Sequence, residues 1–175
     1  MWQNHIDYIY NQIIKFVGIF YRIRHKLNFE MAKMVYFAFV HSHLIYGIEI
    51  YGNTYKKQLS KLMILNNKIF RLLQKAPIDT RITQLYTNFN TMPLLDLRKF
   101  QILKFVHKFI HHQDQLPSVY SYCIFHSYNT STKDALHSLS FRTSLGQRSI
   151  TYKGAILWNA LPEELKGIVS ATKFS

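Results

Sequence analysis

The segment from Lys56 to Lys75, KKQLSKLMILNNKIFRLLQK, has no glycine, proline or acid, and its apolar residues recur every three or four positions. That period specifies an α-helix with one packing face. On a wheel of about 100° per residue, Leu59, Leu62, Leu65, Ile69, Leu72 and Leu73 gather on one side with Met63 and Phe70. Lys57, Lys61, Lys68, Arg71 and Lys75 lie opposite, within about 40° of Lys57. Such a helix presents a line of cations about 27 Å long at about 1.5 Å per residue, interrupted by Ile64. Pro77 closes it, because the proline ring does not fit a helix interior. Solvated helix faces usually mix signs, since Glu and Lys at i and i+4 support each other. Here every charge is positive, and phosphates would relieve the repulsion. A charged face without any partner is the competing reading.

The rest of the chain divides around this helix. Ile6, Ile9, Tyr10, Ile13, Val17 and Phe20 predict an amphipathic helix over 5–27, and Asn28 offers a stop and the next start. Residues 30–46 are apolar nearly all round and predict a central, well-buried helix ending near Gly47, with a turn at Gly52-Asn53-Thr54. Residues 78–93 are short and mixed. A fourth helix is expected from Leu94 to about His112, with Leu95, Ile102, Val106 and Phe109 inward. After Pro117 the SYNTSTKD segment reads as a loop or linker, and the tail mixes short β-like runs with a short helix. The expected organisation is mainly α: a helical bundle over 1–76, a further helical segment over 77–117, and a small mixed α+β region over 118–175.

At 175 residues the chain can bury about 70% of its unfolded surface. With 48% hydrophobic and 15% aromatic residues, it is not a disordered tail. Lys and Arg number 22 against 9 acids, a net charge of +13, which points to a polyanionic partner, either nucleic acid or an anionic membrane surface. Cys123 is alone, which leaves no intrachain disulfide and fits a reducing compartment. The N-terminus lacks signal-peptide features, so an intracellular location, nucleus or cytoplasm, is expected rather than secretion. The longest uncharged run, Met34 to Ile48, is shorter than the roughly 20 residues a membrane span needs.

Catalytic chemistry is hard to find. Among the acids only Glu163 and Glu164 are neighbours, and after Pro162 they suit the first turn of a helix. No pair predicts a two-metal carboxylate site. His41-Ser42-His43 and His111-His112 lack a carboxylate or cysteine at ligand spacing. By its own residues the chain is not expected to be an enzyme, to hold a metal or cofactor, or to take a small-molecule substrate.

Several blocks carry a resemblance. Trp2 to Ile6 with VGIFYRIRHKL (Val17 to Leu27), HSHLIYGIEIYGN (His41 to Asn53) and LLQKAP (Leu72 to Pro77) come in this order. SLGQRSITYKGAILWNALPEEL then closes the series with Gly146, Ser149, Ile150, Gly154, Leu157, Trp158, Asn159, Leu161 and Pro162. Together they resemble the region after the catalytic palm of non-LTR retrotransposon (LINE, jockey-like) reverse transcriptases, with Tyr51 where tryptophan is usual. The resemblance covers essentially the whole chain.

It implies a thumb-like bundle that grips primer–template duplex beside a palm, followed by a C-terminal extension. The polymerase aspartates, and the Mg2+ they hold, would belong to that palm. The chain is therefore expected to be a catalytically incomplete fragment of an RNA-directed DNA polymerase. It would bind RNA/DNA duplex backbone through Lys57, Lys61, Lys68, Arg71 and Lys75, with Arg22, Arg24 and Lys26 as a second patch. A folded remnant of a mobile element with no specific partner is the alternative. Association of residues 30–50 with a membrane surface is a third reading.

Overall fold

The computed structural model describes residues 2–112, 136 and 140–174 of the chain. The protein is mainly α. Helix α1, Gln3–Ile23, buries Ile6, Ile9, Ile13 and Phe20 along one stripe. Asn28 caps α2, Phe29–Tyr36, by accepting from the Met31 N–H at 2.8 Å. Such a cap satisfies one of the donors left open at a helix start. The same helical run widens into a π turn at Phe37–His41 and continues as α3, Ser42–Ile45. The Ser42 hydroxyl donates to the Ala38 carbonyl there, at 2.6 Å.

Gly47 then turns the chain with a φ of 68°, in the left-handed region that glycine enters without a Cβ penalty. It leads into α4, Ile48–Tyr51, whose Tyr51 hydroxyl donates back to the Leu44 carbonyl. The expected helix of the opening segment is α5, Lys56–Leu73. Helix α6, Ile82–Asn88, follows, and then α7, Leu94–His111.

Two compact units, Met1–Arg98 and Lys99–Ser175, replace the expected boundaries at 76 and 117. The reason is visible in the first core. Leu85, Tyr86, Phe89, Leu94 and Leu97 bury into the same cluster as the α5 residues Leu59, Leu62, Ile69 and Phe70. Residues 78–93, which read as short and mixed, thus supply three buried anchors. The centre is aromatic: the Phe70 ring lies 4.4 Å from Tyr36, 4.7 Å from Tyr86 and 5.4 Å from Phe89. Burial pushes the Tyr36 hydroxyl well above the usual tyrosine range, opposed by a hydrogen bond to the Asn66 side chain.

The run over 29–45 is buried on one stripe and not all round. Ala32, Tyr36, Val40 and Leu44 are inside, whereas Met31, Met34 and Phe39 are exposed. Its packing partners are α1 and α5, and helices on one side leave the opposite face to solvent.

In the second unit, Ser149 caps α8, Ile150–Asn159, by accepting from the Tyr152 N–H. A Cβ on Gly154 would stand 2.7 Å from Cγ2 of Val106, so glycine permits that close approach. Trp158 is buried with Ile102, Val106, Leu136 and Ala155. Asn159 holds Leu136 from both sides of its peptide. It accepts from the Leu136 N–H at 2.9 Å and donates to the Leu136 carbonyl at 3.0 Å. Helix α9, Glu163–Lys166, carries Glu163 and Glu164 in its first turn, and α10, Ala171–Phe174, ends the described chain.

The described residues 140–174 are therefore helices and turns, including a 3-10 turn at Gly146–Arg148, where a mixed α+β region was expected. The Ser149 cap and the Gly154–Trp158 spacing commit this stretch to a helix. The SYNTSTKD segment lies outside the described residues.

Candidate nucleic-acid interface

Helices α1 and α5 pack directly on each other. They run in the same direction. Asp7 near the start of α1 pairs with Lys61 of α5, and residues of the last turns of both helices line one common groove. This groove has a volume of about 820 Å³, within the range of ligand clefts.

Arg22 and Arg24 reach it from α1 and its following turn, and Lys68 and Arg71 from α5. No acid belongs to the lining, and among the described residues none of these four cations is paired with a carboxylate. The Arg24 guanidinium lies over the Tyr21 ring, 4.3 Å from its centroid, and its Nε donates to His25 Nε2 at 3.2 Å. Arg71 Nε is buried without an acceptor. The remaining lining is apolar: Val17, Tyr21, Ile64, Leu72, Ala76 and Ile78, with Gly18 among them.

The structure thus joins members of two patches that the sequence kept apart, and breaks the continuous line. Lys57 is exposed in the first turn of α5. Lys61 is half-buried, ion-paired with Asp7 and 5.8 Å from the Tyr10 ring centroid. Lys75 leaves the wheel altogether. Helix α5 stops at Leu73, and Lys75 adopts a left-handed φ of 53° beyond its cap. Lys26 is exposed in the turn after α1 and does not line the groove. The groove members that the sequence pattern does not single out include Gly18, Tyr21, Ala76 and Ile78, for which one helix alone gives no signal. Ile64, an interruption in the cation line, is 68% exposed and belongs to the lining.

The histidines have other positions. No group of three His, Cys, Asp or Glu side chains able to hold a metal ion occurs among the described residues. His107, His111 and His112 each approach a backbone carbonyl, those of Ile168, Lys166 and Val169. The His107 ring also stacks on Phe174 at 4.2 Å. Burial holds the His107 imidazolium below the ordinary histidine range. Its hydrogen bond to Ile168 opposes this, and His111 and His112 reinforce it. Burial lowers His41 in the same way.

The unfolded chain therefore takes up these protons more readily than the folded one. Stability is full above about pH 6.5 and falls as pH drops through the window below it. Urea unfolding is expected to show a lower midpoint at about pH 5.5 than at about pH 7.5. His107→Gln should reduce that difference. Equal midpoints would contradict burial of the two imidazoles.

Among the described residues no helix is long and apolar enough to cross a membrane. No protein-family model matches the chain. Neither a curated protein nor a solved structure matches it.

Proposed function

We propose that the first unit is a nucleic-acid-binding module that holds the phosphate backbone of a duplex without reading its sequence. The reading extends to a thumb-like role beside the palm of a non-LTR retrotransposon reverse transcriptase, with polymerisation assigned to that palm. The observation that carries it is the convergence of Arg22, Arg24, Lys68 and Arg71 on one groove free of acids. In a chain of net charge +13, such a concentration raises the local attraction for a polyanion. Contacts to phosphates position a partner and carry no base code, so affinity should not depend on sequence.

Neutralising about four phosphates gives a slope of log K against log salt near −4 for duplex DNA. Lys68→Glu together with Arg22→Glu is expected to weaken RNA/DNA hybrid binding by at least about tenfold and to flatten that slope by about 2 or more. Both side chains are exposed, so the fold should survive the change. Lys61 is a poor choice for reversal, because a glutamate there would stand beside Asp7.

The pairing of Lys61 with Asp7 is the one observation favouring a folded remnant with no specific partner, since it turns a cation of the expected line to a structural use. That reading predicts weak binding that follows net charge alone. Reversing Lys99 and Lys108, outside the groove, would then weaken binding as much as reversing Arg22 and Lys68. Equal losses from the two pairs would reject the groove as the binding site.

A further inference from the structure

We infer that the groove between α1 and α5 seats an unpaired nucleotide, with its base on the apolar lining and its flanking phosphates on the four cations. This deepens the proposed backbone reading and rests on it. A surface that meets only phosphates has no use for exposed apolar side chains in its lining. Yet Ile64 is 68% exposed, Tyr21 59% and Ile78 91%, and all three line the groove with Arg22, Arg24, Lys68 and Arg71. Apolar and aromatic surface among cations suits a base and its phosphates together, the combination by which single strands are held. The Arg24 guanidinium over the Tyr21 ring holds that ring in place and adds a second planar surface.

Gly18 is an independent sign. It stands inside α1, a helix of 21 residues, where glycine is a poor helix former. No close packing explains it, because a Cβ there would meet nothing within 4 Å. The space above it is the groove itself. A side chain at this position would occupy the volume that the base requires. The interruption at Ile64 has the same explanation: a lysine there would complete the cation line and remove apolar surface from the site.

The test uses the full chain and three labelled oligonucleotides with equal numbers of phosphates: a single strand, an abasic strand and a blunt duplex. Fluorescence anisotropy is expected to show the single strand binding about tenfold or more tightly than the abasic strand. Gly18→Leu should bring the single strand down to the abasic level, so that the preference between these two strands is lost. Helix content and melting temperature should not fall, because leucine is the better helix former. Tyr21→Ala should reduce the same preference.

Equal affinity for the single and abasic strands would overturn the inference, as would a preference that survives Gly18→Leu. If the salt slope and the charge-reversal effect persist in that case, the backbone reading stands without it. Loss of salt-dependent binding to all three oligonucleotides would overturn both.

Discussion

Phe70→Ala is expected to cost the first unit about 3–5 kcal/mol, as truncation of a fully buried aromatic does. Phe70 has 0% exposure, and its ring is in contact range of Tyr36, Tyr86 and Phe89 together. Those three rings come from α2, α6 and the turn after α6. The cavity would therefore open where three separate segments meet, and it has little chance to collapse. Edge and tilted ring pairs add about 0.5–1.5 kcal/mol each beyond burial, and Phe70 takes part in three. Against a typical total of about 5–15 kcal/mol, a loss of this size should leave the unit marginal or unfolded. Ile64→Ala on the same helix is the control. Its side chain is largely exposed, so its effect should stay within about 0.5 kcal/mol. Similar losses for the two variants in urea titrations would refute this account of the core.

The same helix shows what can be read from sequence and what cannot. The packing face of α5 was legible, because burial follows a local period that one helix carries by itself. Leu59, Leu62, Leu65, Ile69, Phe70 and Leu73 are all buried. The cation line was legible only as a pattern. Where α5 ends depends on the cap at Gln74, and that end removed Lys75 from the face. What Lys61 meets depends on Asp7, far away in the chain. The groove was not legible at all, since its halves come from α1 and α5 and no local period relates them. The π turn at Phe37–His41 likewise has no counterpart in the hydrophobic pattern.

The glycines and polar residues on which the family resemblance rests were visible, but their duties here are structural. Gly47 supplies a left-handed turn. A Cβ on Gly52 would collide with the Ile48 carbonyl and stand 2.7 Å from Cδ of Arg98, whose Nη1 donates to the Gly52 carbonyl at 2.6 Å. Ser149 caps a helix, and Asn159 fastens Leu136. Motifs of this kind speak about the fold. The candidate site had to be found from charge and open space.

Trp158→Ala should have the corresponding effect on the second unit, again about 3–5 kcal/mol. Trp158 is 2% exposed, and among the described residues Ile102, Val106, Leu136 and Ala155 are buried with it. Its ring also lies within 6.3 Å of His107 and His111 and 6.1 Å of Phe174. Removing it would take away a wall shared by α7, α8 and α10, and it precedes Asn159, whose side chain positions Leu136. Trp158→Phe keeps an aromatic ring and should lose less than half as much stability.

The measurement can be made specific, because the chain has two tryptophans, Trp2 and Trp158. In a Trp2→Phe background, fluorescence follows Trp158 alone, and the Trp158→Ala variant is compared by circular dichroism. Truncating a buried aromatic leaves a cavity that its neighbours fill only in part. An alanine variant that unfolds at the same urea concentration as its parent would therefore show that Trp158 is not the centre of this core.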